Sequence, residues 1–388
     1  MTSKIYEPRE DSYLLQKYVE KYSDVDDLVL DIGTGSGIQA ITAAKKAKKV
    51  IASDLNPKAI EQAKLTASIE KIKNIEFIES DLFDNIPKKK FDLIIFNPPY
   101  LPKLKKVEDI ALFSGKRGSE TTIRFLDQAA DYLKKDGLIL LISSSITNQN
   151  KIQESVQNNL LASKILETQH VFFEDIVLFL IKKSEILKKL HGKDVTNAKI
   201  FSHGKRGVII KAQYKNKTVA VKIKKSESTA QGTIENESKF LKILNKEKIG
   251  PKLVMHDKDY LMYYFVPGKF IEEYIKEHTK KDILIVLKKI FEQLYKMDNL
   301  GINKFEMHHP VKHIVVNKNN PVLLDFERAR YTEKPKNITQ FCDYLIGIRE
   351  LLRSRDIVID RNNMIDLAKT YKDKPSKINY QKILRLLK

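Results

Sequence analysis

The residues of this chain best suited to do chemistry stand at positions 97–100 and read Asn-Pro-Pro-Tyr. The side-chain oxygen of Asn97 and the main-chain oxygen of Pro98 are both hydrogen-bond acceptors. Two acceptors held side by side suit a planar NH2 group, such as a carboxamide or the exocyclic amine of a base. Tyr100 offers a flat ring for that group to stack on. The motif therefore predicts a site that orients a planar NH2 group for reaction.

A buried strand must position this motif. Residues 93–96, which follow Asp92, form an apolar run that ends at Asn97, and such a run followed by prolines predicts a buried strand. Pro98 and Pro99 end the strand and stiffen the turn at its carboxyl end. Ligands of open parallel sheets bind at that end. A strand followed by a proline-rich turn without function is the alternative, and the rest of the first half of the chain argues against it.

A glycine-rich turn precedes the motif in the chain. Residues 28–32 predict a strand, Gly33, Gly35 and Gly37 follow at alternate positions, and a helix is expected over residues 38–46. Glycines let the backbone approach a nucleotide closely. The Gly-x-Gly-x-Gly spacing is tighter than that of dinucleotide-binding proteins. Asp31, at the strand end, is placed to meet a cationic or hydroxyl-bearing ligand.

Two further acids follow predicted strands. Asp54 comes after residues 50–53, where an acid can accept hydrogen bonds from ribose hydroxyls, and Asp81 comes after residues 75–78, where it could hold an adenine amine. Upstream, residues 6–13 place Asp11 and Ser12 before a short helical pattern that either residue could cap. Residues 134–137 predict a turn into a strand over residues 138–143, and residues 172–181 predict the closing strands.

The order strand–Gly loop, strand–Asp, strand–Asp, strand–Asn-Pro-Pro-Tyr resembles S-adenosylmethionine-dependent methyltransferases. Residues 6–15, 31–37, 97–100 and 115–129 closely resemble the HemK-type glutamine methyltransferases, especially the short archaeal and eukaryotic branch. The resemblance spans roughly residues 5–182. It implies a Rossmann-like class I methyltransferase domain. The cofactor-binding residues that it implies are Glu10, Ser12, Asp31, Gly33, Gly35, Asp54, Asp81 and Asn97, and the amide-binding residues are Asn97, Pro98 and Tyr100.

The same resemblance implies a substrate and a partner. The substrate would be the glutamine in the Gly-Gly-Gln loop of a class I translation release factor, and a small zinc-binding activator subunit would cover an exposed strand edge. N-methylation of adenine or cytosine in RNA or DNA is the alternative, because the motif suits any planar NH2 group. A translation-associated binding protein with degenerate sites is the non-enzymatic alternative.

The second half of the chain changes to paired short strands. Gly204 and Gly207 lie in a predicted hairpin, and Lys222 ends the Val-Ala-Val-Lys of the next strand. A glycine turn followed by this strand is typical of the phosphate-covering hairpin and phosphate-pairing lysine of protein kinases. Glu237, on the helix expected over residues 235–244, is the predicted partner of Lys222, with Glu235 as the alternative.

Residues 325–327, Asp-Phe-Glu, match a metal-binding turn in which Asp325 holds magnesium. This half resembles the small archaeal kinase-like proteins related to the RIO kinases, which implies ATP and magnesium as cofactors. It departs from them because His308 and His313 stand where Asp and Asn are expected, which leaves Glu306 as the nearest candidate base. A slow kinase, an ATP-binding regulatory module and an inert docking domain all remain open.

Composition bounds these expectations. A chain of 388 residues fits two domains, here an α/β methyltransferase domain over residues 1–190 and an α+β protein-kinase-like domain over 196–388, joined by the lysine-rich residues 182–197. The single cysteine, Cys342, fits a reducing compartment. No apolar run spans a membrane and no signal peptide is evident, so a cytoplasmic protein without a membrane partner is expected. The net charge of +20 leaves a ribosome or RNA association open.

Overall fold

A computed structural model describes residues 5–99, 119–204, 207–224 and 233–388. The chain divides into two compact units, the first comprising residues 1–200 and 212–215 and the second comprising residues 201–211 and 216–388. The elements of the first unit, in chain order, are α1 (Glu10–Tyr22), β1 (Leu28–Ile32), α2 (Ile38–Ala44), β2 (Lys49–Asp54), α3 (Pro57–Ile69), β3 (Ile75–Glu79), β4 (Phe91–Phe96), α4 (Glu120–Tyr132), β5 (Leu133–Ser144), α5 (Gln149–Asn158), β6 (Leu161–Val171), β7 (Glu174–Lys183) and α6 (Glu185–His191).

The first unit is built on a sheet with strand order β3-β2-β1-β4-β5-β7-β6. The strands from β3 to β5 are parallel, and β7 runs antiparallel to both of its neighbours. The chain leaves β1 towards β2 on one side and later returns to β4 on the other, so the strand order reverses between β1 and β4. Ligands of open α/β sheets bind in the crevice at such a reversal. This order confirms the predicted Rossmann-like fold.

The register of the central strands brings the two predicted motifs together. Ile32, the last residue of β1, pairs with Phe96, the last residue of β4. The glycine loop and residues 97–99 therefore leave the sheet side by side. Both strands are almost fully buried, as expected for parallel strands covered on both faces.

Several local predictions are wrong. Asp11 and Ser12 do not cap α1, because Arg9 occupies the N-cap position and both residues lie inside the first turn. Residues 134–137 do not form a turn, since β5 runs continuously from Leu133 to Ser144. The closing strands are β6 and β7, and Phe172 lies in the turn between them rather than in a strand. The predicted joint at residues 182–197 contains α6 and the beginning of the next strand, and its role as a linker stays a prediction.

The second unit combines an antiparallel sheet with a helical part. The elements that follow α6, in chain order, are β8 (Val195–His203), β9 (Gly207–Tyr214), β10 (Lys217–Lys224), α7 (Thr233–Leu244), β11 (Leu253–His256), β12 (Tyr260–Tyr264), β13 (Lys269–Phe270), α8 (Ile271–Glu277), α9 (Lys280–Asn299), β14 (Ile302–Asn303), β15 (Ile314–Asn317), β16 (Asn320–Leu323), β17 (Arg330–Tyr331), α10 (Asn337–Gly347), α11 (Arg349–Arg353), α12 (Arg361–Asp373) and α13 (Lys377–Leu384). The sheet has strand order β11-β12-β10-β9-β8, and β8 begins within the first unit.

A single apolar core joins the sheet and the helices of the second unit. The amphipathic helix α9 contributes Ile290, Phe291 and Leu294, which contribute to the same core as Phe341 of α10. Cys342 is buried beside Phe341 and is a free thiol. Within the described ranges, none of the helices is both long enough and apolar enough to cross a bilayer.

Candidate functional site

A cavity of about 1080 Å³ opens in the first unit at the reversal between β1 and β4. Its lining comes from the segment before α1, the glycine loop, the ends of β2, β3 and β4, and the turn between β6 and β7. The sequence-predicted residues that it brings together are Glu10, Ser12, Asp31, Gly33, Gly35, Asp54, Asp81, Asn97 and Pro98. Tyr100, also predicted for this site, lies outside the described residues.

The Asn97 carboxamide is held at one end only. Its Nδ2 atom donates a hydrogen bond to Oδ2 of Asp11 at 3.0 Å. Its Oδ1 atom is buried and accepts no hydrogen bond from any described residue. A buried acceptor without a donor costs about 1–3 kcal/mol, so a donor that reaches this oxygen would bind favourably. Because Asn97 lines the cavity, a ligand NH group there would satisfy this oxygen.

Asp11 fixes which end of the carboxamide is tied. It is only 2% exposed. The hydroxyl of Tyr6 donates to both of its oxygens at 3.1 Å, and the hydroxyl of Ser12 donates to Oδ1 at 3.2 Å. These oxygens accept hydrogen bonds, so Asp11 binds the NH2 end of Asn97, whose oxygen then has no partner among the described residues. Sequence reasoning missed this role because Asp11 and Asn97 meet only through the fold.

The glycine loop is braced by the acid that ends β2. The N–H of Gly35 donates to Oδ2 of Asp54 at 2.9 Å, and the N–H of Asn56 donates to Oδ1 at 2.8 Å. Burial raises the pKa of Asp54 above its usual value. Gly37 has φ 87°, and a Cβ at this position would lie 2.9 Å from Cβ of Ala63. Only glycine therefore fits where α2 begins against α3.

Asp31 is the most deeply buried acid of the cavity, at 1% exposure. The hydroxyl of Thr34 donates to its Oδ2 atom at 2.6 Å. Burial raises the pKa of Asp31 to about 7, although this hydrogen bond opposes the rise. A cationic group bound nearby would favour the ionised carboxylate.

The remaining predicted residues have partners of their own. Asp81 forms an ion pair with Nη2 of Arg124 at 2.9 Å, so an adenine amine would share or replace this contact. Arg124 also lines the cavity and was not predicted from the sequence. Ser12 is buried, with its hydroxyl bound to Asp11, whereas Glu10 is exposed. Glu10 is therefore the freer of the two to meet a ligand.

In the second unit, the structure gathers a charged cluster around Lys222. Its Nζ atom lies 2.8 Å from Glu237, 3.0 Å from Asp325 and 3.2 Å from Glu327. Burial alone would lower the pKa of Lys222, but the three carboxylates outweigh it and raise the pKa. The N–H of Phe326 donates to Oε1 of Glu237 at 3.2 Å, which ties this turn to α7. Glu235, the alternative partner, is exposed.

The structure also shows the surroundings of Glu306, the predicted base, and of the predicted hairpin at Gly204 and Gly207. Glu306 pairs with Nη1 of Arg328 at 2.5 Å and lies 3.8 Å from Nδ1 of His313. Burial and the neighbouring Lys304 lower the pKa of His313 to about 4, so its imidazole is neutral at pH 7. The N–H of Gly204 donates to the carbonyl of Gly207 at 2.9 Å, which closes the hairpin end. Residues 205–206 between them lie outside the described ranges.

Comparisons with known proteins give the first half of the chain a family. The family model described as methyltransferase small domain matches residues 11–170. A Methanocaldococcus jannaschii protein assigned as a protein N5-glutamine methyltransferase is 43% identical over 153 residues, which cover 38% of this chain and 76% of that protein. The release factor glutamine methyltransferase of Lactococcus lactis is 35% identical over 147 residues, which cover 34% of this chain and 54% of that protein.

One similar solved structure is the E. cuniculi Mtq2–Trm112 complex, described as responsible for methylation of the eRF1 translation termination factor. Its matched chain is 25% identical with a TM-score of 0.39, and the match covers 46% of this chain and 99% of that chain. The second unit begins beyond the end of the matched family model.

Proposed function

The chain belongs to the S-adenosylmethionine-dependent methyltransferase family that includes the protein N5-glutamine methyltransferases, and we propose that its first unit methylates the side-chain amide of a protein glutamine. The acceptor would be the glutamine of the Gly-Gly-Gln segment in a class I translation release factor. The observation that carries this proposal is the buried Oδ1 atom of Asn97, which has no donor among the described residues while Nδ2 donates to Asp11.

An amide nitrogen is a poor nucleophile because its lone pair is delocalised into the carbonyl. Acceptors at Asn97 Oδ1 and the Pro98 carbonyl would orient the NH2 group and stabilise the positive charge that grows on nitrogen. A hydrogen bond to a charged group is worth about 1.5–3 kcal/mol, and positioning of the reactants can supply about 7–11 kcal/mol. No general base is required before transfer, because the proton can leave the nitrogen afterwards.

The lining of the cavity fits the cofactor that the family uses. S-adenosylmethionine supplies an electrophilic methyl group and carries positive charge. Asp31 and Asp54 would hold its cationic and hydroxyl groups, the loop at Gly33 and Gly35 would let it approach the backbone, and Asp81 would hold its adenine amine. Glu10 would reach its methionine end.

N-methylation of adenine or cytosine is the alternative, because the same two acceptors suit a base amine. The charged residues that line the cavity favour a polypeptide over a nucleic acid as the methyl acceptor. Its charged lining residues within the described ranges are six acids, Glu10, Asp11, Asp31, Asp54, Asp81 and Glu174, and two bases, Arg9 and Arg124. Such a lining repels the phosphates of nucleic acid.

The test is a competition between the two acceptor classes. A release factor and bulk RNA are incubated together with the chain and isotopically labelled S-adenosylmethionine, and both are then analysed by mass spectrometry. We expect label on the Gly-Gly-Gln glutamine and none on a release factor in which that glutamine is replaced by glutamate. Label on RNA alone would overturn the proposal in favour of the alternative.

For the second unit, the contacts of Lys222 with Glu237 and Asp325 support a kinase-like module that binds ATP. Lys222 would meet the phosphates, and Asp325 would hold magnesium through its oxygens. The Arg328 partner of Glu306 and the neutral imidazole of His313 favour a regulatory module over a slow kinase.

Cellular context completes the proposal. A cytoplasmic location fits the free thiol of Cys342, and the net charge of +20 is compatible with ribosome or RNA association. A small zinc-binding activator subunit stays a prediction from the family resemblance. Absence of label in the competition would be followed by addition of such a subunit.

A further inference from the structure

The turn between β6 and β7 projects two phenylalanines into solvent. Val171 and Glu174 pair across the hairpin, which leaves Phe172 and Phe173 as the two residues of the turn. Their exposures are 84% and 97%. Phe172 has φ 48°, a conformation uncommon for any residue with a side chain. Asn and Gly are the usual residues of such turns, so turn formation does not explain this pair.

The two rings stand at the mouth of the cavity that contains Asn97. Both line that cavity, and so do Tyr13, which is 58% exposed, and Ile146, which is 47% exposed. We name these four residues, three aromatic and one aliphatic, the hydrophobic rim. They come from α1, the turn after β5 and the β6–β7 hairpin, so the fold gathers them from three places in the chain.

A cofactor enclosed among the strand ends does not require apolar side chains pointing into solvent. Buried aromatic side chains are the commonest anchors of protein interfaces, and apolar residues grouped beside a binding cavity mark interaction sites. The neighbouring charges select the partner. Among the described residues that line the cavity, six acids, Glu10 and Glu174 among them, outnumber the two cations Arg9 and Arg124, and this acidic balance favours a polypeptide over the phosphate backbone of a nucleic acid.

We infer that the hydrophobic rim docks the polypeptide segment that carries the acceptor glutamine. This inference rests on the proposed function and deepens it, because it assigns the surface that recognises the acceptor protein. Segments on either side of the glutamine pack on Phe172 and Phe173, and the glutamine side chain enters the cavity towards Asn97. The small glycines of a Gly-Gly-Gln segment let its backbone approach the rings closely.

The test compares two pairs of exposed apolar residues in the full chain. Phe172→Ser with Phe173→Ser removes the tip of the rim. Leu65→Ser with Ile69→Ser is the matched control, because these residues of α3 are 63% and 71% exposed and do not line the cavity. Affinity for a release factor and for single-stranded RNA is measured by fluorescence anisotropy, S-adenosylmethionine affinity by calorimetry, and methyl transfer separately.

We expect the phenylalanine pair to weaken release factor binding at least tenfold, with S-adenosylmethionine affinity unchanged and the control pair unaffected. Phe172→Leu with Phe173→Leu should retain part of the binding. Unchanged release factor affinity, an equal loss in the control, or a loss confined to RNA would each overturn the inference, as would absence of release factor binding by the unaltered chain. Rim-dependent binding without methyl transfer to glutamine would instead contradict the proposed function and leave the docking surface standing.

Discussion

The candidate sites of the two units treat their polar side chains in opposite ways. In the first unit, the buried Oδ1 atom of Asn97 lines an open cavity and has no donor among the described residues. In the second, Lys222 contacts three carboxylates, and Glu306 is paired with Arg328. A site with an unsatisfied group gains free energy when the right ligand arrives, whereas a fully paired cluster must give up contacts before it binds anything. The Asn97 site is therefore prepared for a ligand, whereas the charges around Lys222 already compensate one another.

The two halves of the chain also differ in net charge. Residues 201–388 contain 39 Lys and Arg and 22 Asp and Glu, a net charge of +17, whereas residues 1–200 contain 31 and 28, a net charge of +3. The polyanion attraction expected from the whole chain belongs mainly to the second unit. The acidic cavity of the first unit lies in the nearly neutral half.

The largest expected effect concerns stability and falls on the second unit. Lys222→Met leaves Glu237, which is 2% exposed, without its cation. Breaking a buried ion pair typically costs about 3–5 kcal/mol, so the melting of the second unit should shift down by several degrees. Differential scanning calorimetry measures the shift. The matched change in the first unit, Asn97→Ala, should leave the melting temperature of that unit unchanged. Equal decreases of melting temperature in both variants would contradict the contrast between the Lys222 and Asn97 sites.

The next effect is catalytic. Asp11→Ala frees the Asn97 carboxamide to rotate, which takes its oxygen out of position. We expect the rate of methyl transfer to fall about 10²-fold, as found when a preorganised group is removed from an active site. Asp11→Asn should retain more activity, because its oxygen still accepts from Nδ2 of Asn97. Single-turnover kinetics measures methyl transfer, and calorimetry measures S-adenosylmethionine binding separately. An equal loss of transfer rate in Asp11→Ala and Asp11→Asn would count against this positioning role.

A pH dependence of intermediate size follows from Asp31. The pKa of its carboxyl is raised from 3.8 to about 7 by burial, so it is mostly protonated at pH 6 and mostly ionised at pH 8. A cationic ligand prefers the ionised form, and affinity for S-adenosylmethionine should rise about tenfold between these values. Titration calorimetry at pH 6 and pH 8 measures this change in affinity, and Asp31→Asn should make the affinity nearly independent of pH.

In the ligand-free protein, the raised pKa of Asp31 makes the free energy of unfolding fall as the pH rises from about 4 to about 7.

The smallest effect concerns the exposed ion pair between Arg124 and Asp81. Exposed pairs contribute about 0–1 kcal/mol, so Arg124→Ala should leave stability almost unchanged. It frees Asp81 for the adenine amine, and we expect S-adenosylmethionine affinity to increase about two- to threefold. A marked loss of affinity would show instead that Arg124 itself contacts the cofactor.

Sequence patterns predicted the central part of the fold and much of the cavity lining. The apolar runs of β1 and β4, the glycine spacing and the two prolines are local signals, and parallel strands bring their carboxyl ends together. The link from Asp11 to Asn97 was not predictable in the same way, since 86 residues separate the two. Phe172 and Phe173 belong to an apolar stretch that predicted a strand, and only the register of β6 and β7 shows that they form the turn.

In the second unit, the kinase-like pattern predicted Glu237 as the partner of Lys222, with Glu235 as the alternative, and the structure places Glu237 2.8 Å from Lys222. Motif spacing did not reveal that Arg328 pairs with Glu306. Such a contact depends on side chains from separate turns, for which a single sequence carries no signal.

The most direct test of the account is methyl transfer by Asn97→Ala to the Gly-Gly-Gln glutamine, measured by mass spectrometry beside S-adenosylmethionine affinity measured by calorimetry. Because the free oxygen of Asn97 faces the acceptor in this account, transfer should fall by at least 10²-fold while cofactor affinity changes less than twofold. Loss of cofactor affinity that matches the loss of rate, or transfer that persists without the Asn97 oxygen, would contradict it.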